Sequence, residues 1–432
     1  MLFYSTKTRS ITASLEDAVF RSLPADNGLY MPEFIPKLSD QFMATIQDRS
    51  FNEIAVEVGH ALLGDDISRD DVEKIVDNSF SFEAPVVEVG PDTFVLELFH
   101  GSSMAFKDFG ARFMASLMSH FLAKSQKEIK ILVATSGDTG GAVAQGFYNV
   151  PGISVTILYP SGKVSDIQEK QLTTLGKNIT ALEVDGTFDD CQRLVKEAFL
   201  DADLTAKFNL ASANSINISR LIPQSFYYFS AFAQTKHLGK PVVFSVPSGN
   251  FGNLSAGVLA YQMGLPVQRF LAVTNRNNVV PRYLSSSLYE PFPSIETISN
   301  AMDVGSPSNF VRLTRFFEDD WEQVRSMVSG YYFDDDQTRK GMREVYDRTG
   351  YVMCPHTAVA YNGLQEYRKE SEEDFTGVLL ATAHPAKFLD LVENTLESTV
   401  PIPERLENLL SMEKKAISLN ARFEDFKAYL LG

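Results

Sequence analysis

The residues best placed to do chemistry begin at His100-Gly-Ser-Ser-Met-Ala-Phe-Lys107-Asp-Phe-Gly110, where an apolar run gives way to small residues. Lys107 falls where an amphipathic stretch opens. A lysine is ordinarily a solvated surface cation. Here Phe106 and Phe109 flank it, and the preceding run is apolar. A helix N-terminus disfavours a cation, and apolar walls disfavour the charged amine. Both effects lower the lysine pKa and leave more of it neutral and nucleophilic. Such an amine is what an imine-forming cofactor requires.

Four further segments could serve it. Thr135-Ser-Gly-Asp-Thr-Gly-Gly141 follows the apolar run KILVA, and its glycines and hydroxyls suit a carboxylate or phosphate. Taken singly, a structural turn also accounts for it, and it matches neither GxGxxG nor GxxxxGK[ST]. Val246-Pro-Ser-Gly-Asn-Phe-Gly-Asn253 is the better phosphate cradle. Its two glycines let backbone amides converge ahead of a helix, and it needs no lysine. Asn214-Ser-Ile-Asn-Ile-Ser-Arg220 places an arginine just under two helical turns after an asparagine. That arginine could bind phosphate or carboxylate through two parallel bonds, or be a surface arginine beside a helix cap. Ala381-Thr-Ala-His-Pro-Ala-Lys387 closes the last apolar run and puts Thr382 at a strand's carboxyl end, where ligands of open α/β sheets gather. His384 and His356 lack a second ligand at metal spacing. They read as structural histidines, and we expect no metal.

These segments need elements to position them. The first ninety or so residues read as mostly helical, with Ser50 and Glu53 as a capping box and a stop at Gly64. From Thr93 the texture becomes TFVLELF, KILVA, ISVTILYP, NITALEV, FNLASA, PVVFSV, FLAVT and FTGVLLATA, alternating with amphipathic stretches. Continuous apolar strands separated by helices indicate parallel sheets covered on both faces. Their number suits two α/β sheets better than one. The interval 285–350 is polar and gives no clear order.

With 432 residues, 44 % hydrophobic, the chain suits a soluble enzyme of two or three domains. No apolar run approaches the roughly 20 residues of a membrane span, and MLFYSTKTRS lacks the features of a signal peptide. A net charge of -16 argues against a nucleic-acid partner. The acidic clusters 334–336 and 372–374 read as solvated surface. Cys191 and Cys354, in no CxxC arrangement, fit the reducing cytoplasm.

In order along the chain, SMAFKDF, TSGDTG, NSINISR, PSGNFGN and ATAHPAKF closely resemble the threonine synthases, and the long N-terminal region resembles their larger microbial and fungal members. The resemblance implies a tryptophan-synthase-β-like fold, with pyridoxal 5′-phosphate between two α/β domains and Lys107 as its Schiff-base lysine. It aligns Gly249, Asn250, Phe251, Gly252 and Asn253 with the cofactor-phosphate loop and Thr382 with the hydroxyl facing the pyridine nitrogen. Contacts to a phosphorylated substrate would come from Ser103, Thr135, Ser136, Thr139, Asn214, Ser215 and Arg220. Many relatives carry Asn, against the cofactor ring hydroxyl, where this chain has Asp138, and the role of that carboxylate stays open. Cys354 stands where acidic residues are common.

The implied organisation is a helical unit over 1–90, a large α/β unit over 91–127 and 222–400, a small one over 128–221, and a peripheral helical tail over 401–432. The implied reaction turns O-phosphohomoserine and water into threonine and phosphate, in a cytoplasmic monomer or homodimer. A serine or threonine dehydratase on the same fold is the nearest rival, and a non-catalytic binder of phosphorylated metabolites the next. NSINISR argues against the first and Lys107 against the second.

Overall fold

The computed structural model describes residues 1–123, 125 and 127–432. Two sheets dominate it. The larger joins β4 (Val86–Gly90), β5 (Thr93–Glu97), β10 (Val242–Pro247), β11 (Val267–Thr274), β12 (Val328–Tyr332) and β13 (Thr376–Ala381) in the order β12-β11-β10-β13-β5-β4. All its pairings are parallel except β4 with β5. The smaller joins β6 (Ile129–Ala134), β7 (Ile153–Pro160), β8 (Ile179–Asp185), β9 (Asn209–Ser212) and β14 (Ile417–Asn420) in the order β14-β8-β7-β6-β9, wholly parallel. Their interior strands are buried on both faces, so the sequence shows unbroken apolar runs and no alternation.

The N-terminal region is helical but also holds an antiparallel sheet of β1 (Phe3–Ser5), β2 (Thr12–Ala13) and β3 (Tyr30–Pro32). Its helix Phe51–Leu63 has the expected reciprocal cap between Ser50 and Glu53, and Gly64 ends it. Three readings change. A boundary at residue 90 would cut a hairpin, because β4 is an edge strand of the large sheet, turned into β5 through Gly90 and Asp92 at positive φ. The interval 285–350 contributes β12 and the helices Phe310–Arg315, Trp321–Met327 and Asp335–Thr349, the last capped by Asp334. The tail is not only helical. It supplies β14, a strand too short and exposed to show as an apolar run, and Lys414 ties it to Glu169 at 2.8 Å and Glu183 at 2.7 Å. No helix among the described residues is long and apolar enough to cross a membrane.

Arg312 links the N-terminal sheet to the rest. Fully buried, it donates to the carbonyls of Tyr30 (3.0 Å) and Ile216 (2.7 Å), to that of Ser215 (3.1 Å) and to Asn309 Oδ1 (2.7 Å). It has no carboxylate partner, and burial pushes its pKa down to about 9. Its charge is therefore solvated by the backbone of the 214–217 turn. Arg312→Met would strand those acceptors, and hydrogen bonds to charged groups are worth roughly 1.5–3 kcal/mol each. We expect a loss of about 3 kcal/mol in urea unfolding, and a loss under about 1 kcal/mol would refute the assignment.

Candidate active site

The strands of both sheets end at one cavity. Its wall includes Lys107 beyond β5, Thr135–Thr139 beyond β6, Asn214, Ser215 and Arg220 beyond β9, Ser248–Asn253 beyond β10, and Thr382 beyond β13. This is where open parallel sheets place their ligands.

Lys107 is the first residue of the helix Lys107–Leu122. Its Nζ lies 5.1 Å from the Phe106 ring centroid. Phe106 N–H donates to the Thr382 carbonyl at 2.9 Å, which pins the residue before Lys107 to the end of β13. Burial lowers the Lys107 pKa. Asp138 opposes that, and the cations Lys387 and Arg220 add to it. The amine expected from sequence is thus surrounded by the groups that make it nucleophilic.

Two stretches of backbone donors face it. The N–H groups of residues 249–253 find no acceptor elsewhere among the described residues, although the loop is largely buried. Gly249 is required there, since a Cβ would meet Ala301 O at 2.8 Å. Phe251 takes φ 62° to start the helix Gly252–Gln262, whose dipole points at the same spot. Asn253 extends the cradle. Its Oδ1 accepts from Tyr227 OH (2.7 Å) and Tyr228 OH (2.8 Å), so its Nδ2 is fixed as a donor, and that donor has no partner. Asn250 lines the cavity too, and its Oδ1 accepts from Ser308 N–H and Oγ–H.

The second stretch is Ser136, Asp138 and Thr139, whose N–H groups also lack acceptors among the described residues. Thr135 shapes this turn from inside. Its Oγ1 accepts from Gly137 N–H (3.1 Å) and Gly140 N–H (2.9 Å) and donates to the Gly137 carbonyl. Arg220 closes the cavity on the side of the helix Ile218–Leu221. Its guanidinium is buried, its Nη1 donates to the Ala213 carbonyl, and its Nε has no partner. Asn214 and Arg220 do not share a helix start. Asn217 caps that short helix, and residues 214–216 form a turn held by Arg312 and by Asn309, which donates to Ser215 Oγ at 3.1 Å.

Ser103 is the expected site residue that the structure keeps off the cavity wall. It is fully buried, and its hydroxyl has no partner. Its carbonyl accepts from Lys387 and Gln171, each at 2.8 Å. Asp138 is ionised: burial opposes the charge, but Lys387 and then Lys107 hold its carboxyl well below the usual range. Sequence reasoning missed Lys387, although it stands inside ATAHPAKF. It also missed Tyr227 and Tyr228, which carry no local signal. The sequence reading gave His356 a structural role, and here it also lines the cavity.

Unpaired buried donors in one cradle, a second cradle, a lysine whose pKa burial lowers and a Thr382 hydroxyl on the cavity wall fit pyridoxal phosphate. This fold and site define a pyridoxal-phosphate-dependent enzyme, and the family model described in those words matches residues 83–382. Models of the threonine synthase N terminus and C-terminal region match residues 2–80 and 357–430. The chain belongs to the threonine synthase family. It is 42 % identical to the Escherichia coli threonine synthase over 434 residues, covering all of both chains. The crystal structure of that enzyme superposes with a TM-score of 0.93, covering 100 % of this chain and 99 % of the other. The pyridoxal-phosphate-bound threonine synthase of Brucella melitensis, 33 % identical, superposes at 0.92 over 100 % and 98 %.

His356 gives the site a pH limit. Its Nε2 accepts from Ala301 N–H at 3.2 Å, so the ring is neutral with its proton on Nδ1, and burial pushes its pKa down to about 4. An unfolded histidine titrates near 6.5. Between those values the unfolded chain binds the extra proton, so stability is present above about 6.5 and drains away toward 4. From pH 7 to pH 5 this one residue costs about 2 kcal/mol. In His356→Gln the difference between urea unfolding at the two pH values should shrink by about that amount; an unchanged difference would contradict the neutral assignment.

Proposed function

We propose that the chain converts O-phosphohomoserine and water into threonine and phosphate. The observation that carries this reading is the pair of anion cradles that line one cavity with a nucleophilic lysine. The five amides of 249–253 and Asn253 Nδ2 suit the cofactor's phosphate. Ser136, Thr139, Asn214, Ser215 and Arg220 are left for the substrate's phosphate and carboxylate. A dehydratase acting on unphosphorylated serine or threonine has no use for so many donors.

Pyridoxal phosphate bound at Lys107 would supply the electron sink that acidifies the substrate's Cα. Lys107 Nζ, neutral in part through burial, takes the proton at Cα, moves that at Cβ and returns one at Cγ. Arg220 and the amides of Ser136, Asp138 and Thr139 hold the phosphate and stabilise the charge that grows as it leaves Cγ. Water then adds its hydroxyl at Cβ, a proton returns to Cα, and the remaining proton leaves with the phosphate, so the atoms balance as threonine plus phosphate. Thr382, on the cavity wall, would offer a neutral hydroxyl to the pyridine nitrogen, and would leave the ring less electron-withdrawing than a carboxylate partner would. We place the reaction in the cytoplasm, in keeping with two buried, unpaired cysteines.

The purified protein loaded with pyridoxal phosphate should release phosphate from O-phosphohomoserine and leave threonine unchanged. Lys107→Ala should lose both turnover and the visible absorbance of the bound cofactor. Normal turnover in that variant, or ammonia release from threonine at a comparable rate, would overturn the reading.

A further inference from the structure

Behind the cavity wall lies a buried ion pair that the reaction as derived does not use. Lys387 sits on the single turn Pro385–Phe388 after β13 and is 0 % exposed at its side chain; Asp138, 4 % exposed, opens the helix Asp138–Gly146 after β6. Their Nζ and Oδ1 atoms are 2.6 Å apart. Gln168 donates to the same Oδ1 at 2.9 Å, and Lys387 donates a second hydrogen bond to the Ser103 carbonyl at 2.8 Å. Asp138 lines the cavity and Lys387 does not. The lysine therefore reaches the reacting space only through the carboxylate. The pair also spans the two sheets, one partner at the end of each.

Removing two ions from water is costly, and a hydrophobic pair of the same volume is often no worse for stability. Stability alone does not account for the pair. Its position does. Asp138 without Lys387 would put an uncompensated anion beside the cofactor ring. Lys387 without Asp138 would put an uncompensated cation beside Lys107. A neutral amide at position 138 would present neither.

We propose that Lys387 is a positioning residue of the cofactor site: it aims the Asp138 carboxylate at Lys107 and its cofactor while the pair adds no net charge. This rests on Lys107 as the cofactor lysine. Other ionisable groups around the three are few. Arg220 faces Lys107 from the helix Ile218–Leu221, His356 faces Lys107 and Asp138 from the start of the helix Pro355–Glu370, and Cys354 lies beside Asp138. Asp108 and His384 also feel the Lys387 charge. Asp138 is the first of the charges acting on Lys107, and Lys387 the first of those acting on Asp138.

The test is a pH titration of the visible absorbance of the cofactor bound to the full-length protein, a readout separate from turnover. Removing a neighbouring cation favours the protonated chromophore, and removing an anion disfavours it. Lys387→Met should raise the chromophore's proton affinity about tenfold, and Asp138→Asn should lower it about tenfold. The double variant Asp138→Asn with Lys387→Met should return close to the parent, and Lys387→Arg should titrate as the parent does. An unshifted titration in Lys387→Met, shifts of the same sign in both single variants, or a double variant that keeps the Lys387→Met shift would overturn the proposal. If Lys387→Met alone fails to fold, comparing Asp138→Asn with the double variant reads the same charge. A parent protein with no visible band would overturn the cofactor reading itself.

Discussion

Buried hydrogen-bond donors without acceptors are the constraint around which this molecule is arranged. A buried N–H left unpaired costs on the order of 1–3 kcal/mol, and native folds rarely tolerate such groups. Here one cavity gathers the amides of 249–253, those of 136, 138 and 139, Asn253 Nδ2 and Arg220 Nε. A chain that accepts this cost must recover it from something that brings acceptors. Phosphate and carboxylate groups bring several each. The scaffold's task is to keep the donors from finding acceptors of their own, and it does so by using rigid parts. Gly249 lets residues 301–302 press against the loop, Tyr227 and Tyr228 clamp Asn253 in one orientation, and Arg312 holds the 214–217 turn through its carbonyls.

Parallel strands explain why these parts meet. Every loop that carries a donor or a reactive group follows the carboxyl end of a strand, and the two sheets turn those ends toward each other. β10, β13 and β5 are neighbours in one sheet, and β6 and β9 are neighbours in the other. Segments far apart in the chain are therefore delivered to adjacent positions. The bond from Phe106 N–H to the Thr382 carbonyl shows the economy of this arrangement. One strand end supplies both a hydroxyl on the cavity wall and the anchor for the residue before Lys107.

What could be read from the sequence follows from the range of each interaction. The caps at Ser50 and Gly64, the apolar strands and the glycine turns are set by near neighbours, and they stand as expected. Lys107 was legible because its flanking aromatics and its place at a helix start are local features. Position 138 was legible as a departure, yet its partner was not, because 249 residues separate it from Lys387 and nothing in ATAHPAKF marks a lysine that points inward. Ser103 differs from its motif neighbours for a related reason. They reach the cavity wall, whereas Ser103 is fully buried and its carbonyl accepts from the distant Lys387 and Gln171. β4 and β14 escaped notice because edge strands bury little, and an apolar run is the only trace a short strand leaves.

The sign of the charge inside is opposite to the sign outside. The whole chain carries -16, which repels anionic substrates at long range. At physiological ionic strength that repulsion is screened beyond roughly 8 Å, whereas charges in a buried cavity are screened far less. Within the cavity the balance is reversed. Lys107 and Arg220 are buried with no carboxylate in contact among the described residues, while Asp138 is matched by Lys387. A small phosphorylated molecule is therefore repelled weakly by the surface and held strongly by the interior. Long polyanions, which cannot enter the cavity, meet only the surface. Confining the positive potential to a site bounded by two sheets lets an acidic protein select a small dianion, and the neutral Asp138–Lys387 pair keeps that potential from being spent on the protein's own carboxylate.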